Sequence, residues 1–498
     1  MAASSTAEPI RASPASTVTS TASPRTSSGR RLRTNRAVGA TVAAISSSAR
    51  GSATATESRR RRRGHCGQRL PGADERSAPA PPTLGNVTIA PLPAGVRVRT
   101  RPVDDLGGLL ELLPDARTPK SWVRGDDGLV GWGEVARWTG SGPDRFADAD
   151  EWWQAFVDGV QVRDEVGEPG TGPVAFTSFT FSDDSAGSVV VVPRVVVGRR
   201  GGRAWITEFS HGDGPSGVHA IDPVRPAGTL RYSDGRLPVD RYRAAVAEAV
   251  RRMREGELDK AALAHDLLAV AEAPLDPRHL LGGLARRYPT CWSFAVEGLV
   301  GATPELLVRR TGDVVESRVL AGTMWAASPG TGTLGDRLMS SAKDRHEHAL
   351  AVDSLTSALA PLCASLDAPA VPDVLTLHNV SHLASDVRGR LDPLGPASLL
   401  RLAGAVHPTA AVGGTPRKIA VELITELEEM DRGRYAGPVG WIDSRGDGEL
   451  GIALRCAQLD GPTARLFAGC GIVADSDPDT EVREAAAKLV AVRDALEG

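Results

Sequence analysis

The sequence predicts an α+β protein with large, mainly antiparallel sheets, and three observations predict it. Short β-branched or aromatic runs are separated by turn residues, amphipathic stretches carry helix-start signals, and the two kinds of element follow one another without a βαβ rhythm. Pro173–Phe181, Ser188–Gly198 and Arg203–Glu208, divided by Ser182-Asp183-Asp184 and Gly201-Gly202, read as an antiparallel meander. Asp240 reads as the cap of a helix whose Val246, Ala249, Val250 and Met253 share one face, and Gly256 ends it. Leu258–Val270 then reads as a strand, and Asp276-Pro277 starts another helix. No repeat of 20–50 residues is present.

Residues 1–85 differ from the rest of the 498. They hold 14 Arg against four acids (Glu8, Glu57, Asp74, Glu75) and almost no aromatic or periodic apolar residues, a composition that predicts a disordered tail. The reading adopted is an upstream translation artefact or a natural tail. A transit peptide and a nucleic-acid grip through Arg59 to Arg63 compete with it, the latter on weak evidence. The formal charge is −3, so removing the tail's +10 leaves the body near −13, with no basic face for nucleic acid. The expected organisation is a tail over 1–85, an N-terminal part of the catalytic fold over 86–235, and a catalytic region over 236–498.

Five cysteines without C-x-x-C spacing are neither a disulfide framework nor a zinc site, which fits a reducing, cytoplasmic compartment. No apolar run reaches the roughly 18 residues a membrane span needs. The 58 basic residues include only five lysines: Lys120, Lys260, Lys343, Lys418 and Lys488. A lysine that persists against so many arginines points to chemistry that arginine cannot do, such as losing its proton.

Several constellations carry chemistry. Asp477-Pro478 starts a helix with Glu481, Glu484 and Lys488 on one stripe, directly after the glycine-rich Gly469-Cys470-Gly471. A second helix, from Lys343, carries Asp344 and Glu347 on one face; His346 and His348 beside them lack zinc spacing. Two carboxylate pairs converging from separate helices would suit Mg²⁺. Lys260 sits in an alternating strand among Leu258, Ala262 and Ala264, where desolvation would favour a general base. Glu305 opens an apolar strand, and partial burial would keep it protonated as an acid. In His407–Arg417, two glycines and a Thr-Pro start lead into a helix whose free amides favour an anion. Tyr435 and Arg455, on strands read as neighbours, could together hold a carboxylate. Each pattern has a bland alternative: a solvated Glu/Lys face, a snorkelling lysine, a strand-end glutamate, a tight loop.

In this order the segments resemble the chorismate-utilising family, strongly over about residues 236–496 and loosely over 90–235. The family includes anthranilate, aminodeoxychorismate, salicylate and isochorismate synthases. The resemblance implies one α+β unit, two big antiparallel sheets flanked by helices, with the site between them. It implies that Lys260 activates water to attack ring carbon C2 and that Glu305 protonates the departing C4 hydroxyl. It further implies that Glu347 and Glu484 bind Mg²⁺ directly, with Asp344 and Glu481 in support, and that the ion holds the ring carboxylate of chorismate. Tyr435, Arg455 and the Gly469 backbone would grip the enolpyruvyl carboxylate. Gly322, Thr323, His382, Ala411 and Lys488 would line the pocket.

The isochorismate synthase branch is matched best. Lys260 is typically missing from the anthranilate branch, the covalent Lys-Gly motif of the aminodeoxychorismate branch is absent, and Ala411 stands where other branches carry Thr. Salicylate synthase, which goes on to eliminate pyruvate, is the runner-up, and an inactive chorismate-binding relative is a third reading. Gly413 and Val319 depart from the branch pattern, where Cys and Pro are usual. Partner enzymes, rather than these residues, decide whether the product feeds menaquinone, a siderophore or salicylate. The expected assembly is a monomer or weak homodimer.

Overall fold

The computed structural model describes residues 88–89, 95–104, 107–211, 220–325, 332–377 and 380–498, so the tail expected over 1–85 lies outside the described residues. Among these described residues two sheets, of 11 and 13 strands, form the frame. Among the described residues only Arg97–Thr100 with Gln161–Asp164 pairs in parallel. Eight α-helices among the described residues flank the sheets. Strands from both sides of residue 236 pair in each sheet: Trp441 opposes Phe176 in one and Phe294 opposes Trp122 in the other.

The expected meander is divided. Ser188–Gly198 is two strands, Ser188–Val192 in the 11-stranded sheet and Val195–Arg200 in the 13-stranded one. Pro193 has no N–H to give a ladder, so pairing stops there and the chain crosses between sheets. Asp240 is not a cap either. The helix Val239–Arg254 starts after Pro238 without a side-chain cap, and Asp240 lies in its first turn, paired with Arg243. There it still complements the helix dipole. By contrast, Asp276 and Asp477 do cap, accepting from the amides of Arg278 and Thr480.

A polar seam joins the sheets within the core. Trp122 and Trp292 stack with centroids 6.0 Å apart, and both indoles donate to Glu449 Oε2 of the opposite sheet at 2.9 and 3.0 Å. A Cβ at Gly451 would come 2.7 Å from the Trp122 ring, so a side chain there would hold the sheets apart.

Six elements carry the site and are labelled in chain order: β1 (Lys260–Ala271), β2 (Val314–Trp325), α1 (Ala342–Leu359), β3 (Val380–Leu391), β4 (Thr463–Ile472) and α2 (Pro478–Glu497). In the 13-stranded sheet β1 pairs with β4; in the 11-stranded sheet β2 pairs with β3. Helix α1 packs on β2 and β3, while α2 packs on β4 and also reaches β2, so the two helices meet where the sheets approach. Among the described residues no helix is long and apolar enough to cross a membrane.

The seam predicts the cost of removing it. Trp122→Ala should lower stability by about 3–5 kcal/mol, read from denaturant unfolding. A loss below about 1 kcal/mol, within the range of ordinary surface substitutions, would contradict that account.

Candidate active site

Lys260 begins β1 and is fully buried. Its Nζ lies 3.2 Å from Glu347 Oε1 and donates to the Glu347 carbonyl at 3.5 Å. Ala262 and Ala264 are its strand neighbours as expected, yet the amine itself faces a carboxylate rather than an apolar wall. Gly471, opposite Ala262, makes room for that pair. A Cβ there would collide with Glu347 Oε1 and sit 3.1 Å from Lys260 Cε.

The two carboxylate pairs converge. Asp344 and Glu347 on α1 and Glu481 and Glu484 on α2 are all buried, and so is Lys488. Lys343 Nζ lies 2.6 Å from Glu481 Oε1; Lys488 Nζ lies 2.7 Å from Glu484 Oε1 and donates to the Gly469 carbonyl at 2.9 Å. Against the cost of burial, Lys260, Lys343 and Lys488 hold the Glu347 carboxyl below its ordinary range. Against the same cost, Glu481, Glu347 and Glu484 hold the Lys343 ammonium above its own. Burial and then Glu484 push Glu481 up, while Lys343 opposes them. Given a 2.6 Å contact, we treat Lys343 and Glu481 as a charged pair.

These residues fit a hard divalent cation. Glu481 Oε2 is buried without a hydrogen bond, and oxygens of Glu481 and Glu484 lie within 4.8 Å of each other and of Cys470 Sγ. We leave the sulfur out of the donor set: burial pushes its thiol well above the usual range, and magnesium prefers oxygen. On α1, His348 is buried and bonded to the Ala321 carbonyl and Ser385, whereas His346 is exposed, so the two share no ligand.

Across the cavity, Glu305 precedes the strand Leu306–Thr311 and is 3% exposed. Its carboxylate accepts from the Leu320 amide at 3.4 Å, and burial pushes its carboxyl up to about 8 although that bond, Lys260, Arg455 and Lys488 oppose the shift. Gly322 makes a bulge in β2 at φ +75°, where a Cβ would press on Asp344 at 3.0 Å. Beyond the bulge, Thr323 Oγ1 and His382 Nδ1 are 3.0 Å apart, and Arg455 Nη2 donates to His382 Nε2 at 3.1 Å. Arginine can only donate, so Nε2 accepts and the ring proton sits on Nδ1. Burial, followed by Arg455, holds His382 well below its ordinary pKa, which agrees with a neutral ring.

Tyr435 and Arg455 lie in turns rather than on strands. Ala436 N donates to Ala453 O and Ala453 N to Gly437 O, each at 2.9 Å, which brings the turns together. Tyr435 stacks on Phe467 at 4.9 Å, and burial pushes its phenol up to about 12. The run His407–Arg417 borders the cavity through Ala411 and Val412, not through the start of helix Arg417–Glu428. The amides of Ala262 and Asp259 instead bond the Gly413 and Thr415 carbonyls, tying that run to β1.

Ten expected residues border one cavity: Glu305, Gly322, Thr323, Glu347, His382, Ala411, Tyr435, Arg455, Gly469 and Lys488. Lys260 stands behind Glu347, Asp344 against Gly322, and Glu481 and Glu484 behind Lys343 and Lys488. Sequence reasoning missed Arg432, which also borders the cavity, together with its partner Glu428. Their four-residue spacing was the available signal. Gly471→Ala should part Lys260 from Glu347 while leaving the fold intact, to be checked by a crystal structure and thermal unfolding; an unmoved Glu347 would refute this packing.

Comparison with known proteins bears on the same region. The chorismate-binding enzyme family model matches residues 113–211 and 223–497. The salicylate biosynthesis isochorismate synthase of Pseudomonas aeruginosa is 33% identical over 416 residues, 77% of this chain and 86% of that protein. The isochorismate synthase DhbC of Bacillus subtilis is 38% identical over 262 residues, half of this chain and 65% of that protein. The structure of the menaquinone-specific isochorismate synthase MenF of Escherichia coli matches with a TM-score of 0.66 and 25% identity, covering 81% of this chain and 95% of that one. With three quarters of its length matched by the family model, the chain belongs to the chorismate-binding enzymes.

Proposed function

We propose that the protein is an isochorismate synthase. Water attacks C2 of chorismate, both ring double bonds shift, and the C4 hydroxyl leaves as water. The observation that carries this reading is the buried Glu305 carboxyl, its pKa pushed up to about 8 by burial, bordering the same cavity as Glu347 and Lys488. Attack and departure at different ring carbons require a proton acceptor and a proton donor at separate points. Lys260, in its uncharged form, takes the proton from the attacking water, and Glu305 gives one to the departing hydroxyl. One water enters and one leaves, and exchange with solvent restores both groups.

Arg455 and the neutral Tyr435 phenol grip the enolpyruvyl carboxylate, with the Gly469 backbone beside them. His382, held neutral, keeps the Arg455 guanidinium directed at the cavity. Gly322, Thr323, Ala411 and Lys488 shape the remaining wall. Glu347 and Glu484, supported by Asp344 and Glu481, are the residues that would hold Mg²⁺. Bound there, the ion supplies the positive charge that steadies the ring carboxylate.

The decisive assay incubates purified protein with chorismate and Mg²⁺ and identifies products by chromatography. Isochorismate alone supports the proposal, salicylate with pyruvate would add an elimination step, and a requirement for an amine donor would overturn it. Lys260→Ala should lose at least about 100-fold in turnover while still binding chorismate; normal turnover would sink the base assignment. Because Glu305 acts in its protonated form, kcat should decline as pH rises through about 8. A rate that stays flat through pH 8 and beyond would exclude Glu305 as the acid.

A further inference from the structure

One buried ion pair takes part in none of these steps. Glu428 ends the helix Arg417–Glu428, and Arg432 lies in the turn that follows; they are 1% and 4% exposed. Arg432 Nε and Nη2 bond both Glu428 oxygens at 2.9 and 2.5 Å. Nη2 also reaches the Ala262 carbonyl at 2.6 Å, Nη1 reaches the Val412 carbonyl at 3.0 Å, and Glu428 Oε1 accepts from the Ala264 amide at 2.7 Å. The guanidinium lies over the Phe181 ring, 4.2 Å from its centroid, and the Tyr435 amide donates to the Arg432 carbonyl at 3.1 Å.

These bonds fill a gap in a sheet. On the edge of β1 away from β4, Gly414–Thr415 pairs with Lys260 and Ala261, and Leu230–Asp234 pairs with Leu267 to Ala271. Between them, among the described residues, no strand covers β1. The Ala262 carbonyl and Ala264 amide would therefore be buried without those partners, at the cost of an unmade hydrogen bond each, had Arg432 and Glu428 not taken the strand's place. The pair thereby fixes β1, which carries Lys260, to the Val412 wall and the Tyr435 turn. Ala262, Ala264, Val412 and Tyr435 all border the cavity.

We propose that Arg432, braced by Glu428, is a positioning residue that sets the distance between the Lys260 strand and the carboxylate-gripping wall, an inference that rests on the function proposed above. Only a planar fork reaches Glu428, Ala262 and Val412 at once, so lysine cannot replace it.

The test compares Arg432→Lys with Arg278→Lys. Arg278 is an equally buried fork, on Asp276 and the carbonyls of Leu113, Pro114 and Asp222, and does not border the cavity. Arg432→Lys should fold and lose about 100-fold in kcat/KM for chorismate, through both terms. Its Mg²⁺ affinity by calorimetry should stay close to wild type, because the cation's residues ride on α1 and α2. Arg278→Lys should lose thermal stability yet keep wild-type kcat/KM. Near-wild-type kcat/KM in Arg432→Lys, or an equal catalytic loss in Arg278→Lys, would overturn the proposal. If Arg432→Lys does not fold, Glu428→Gln keeps an acceptor for Ala264 and should show a smaller loss of the same kind; wild-type kinetics there would overturn it. Product formation by the wild type is measured first. If none forms, chorismate binding by calorimetry decides separately, since Arg432→Lys should then still bind more weakly than wild type, and equal binding would overturn the proposal.

Discussion

Four carboxylates buried at one point are the constraint on which this architecture rests. Two like charges 4 Å apart repel by about 4 kcal/mol at an effective dielectric of 20, and a folded domain has a margin of only about 5–15 kcal/mol. Asp344 and Glu347 come from a helix on one sheet, Glu481 and Glu484 from a helix on the other. Folding cannot bring them together without cations. Lys260, Lys343 and Lys488 supply these, one to each of Glu347, Glu481 and Glu484. The glycines follow from the same demand: Gly471 leaves space for the Lys260–Glu347 pair, and Gly322 lets α1 approach β2.

The division between lysine and arginine then acquires a physical sense. Against 58 basic residues the five lysines are few, and three of them sit in this cluster. Lys120 is also buried, paired with Glu297, while Lys418 lies on the surface. An ammonium is a point charge that can release one oxygen and take another, which suits the cation-holding role proposed for these carboxylates. Arginine appears where the bond is permanent, in the forks of Arg432 and Arg278. A buried pair is costly to form and costlier to break from one side, so each fork locks its neighbourhood into a single arrangement.

What could be read in the sequence was local. Asp276-Pro277 and Asp477-Pro478 announce their helices because a cap and a fixed φ act within one turn. Asp240 misled because a carboxylate inside the first turn looks the same as one at the cap. The change of sheet at Pro193 depends on which strands lie beside it, and periodicity does not report that. The site residues were legible through motif order, yet their convergence was not, because helical spacing places Glu481 and Glu484 on one face without saying what that face meets. Glu428 and Arg432 were missed for a related reason. A Glu and an Arg four residues apart read as an ordinary surface pair, and the gap in β1 that gives them their purpose arises only when three distant segments assemble.

Glu305 and Glu347 show how far environment alone separates two identical side chains. Both are buried and border the same cavity. Glu347 lies against Lys260, and the lysine charges outweigh its burial, so it stays ionised. Glu305 has one long amide contact and feels Lys260, Arg455 and Lys488 without a direct bond to any, so burial outweighs them and pushes its carboxyl up to about 8. A direct salt bridge to Glu305 would reverse this balance and leave the cavity with no acid on that side. The absence of such a bond among the described residues is therefore as much a part of the arrangement as the three lysine bonds that are made, and it supports the proposed division of the carboxylates into one that donates a proton and a group that would hold a cation.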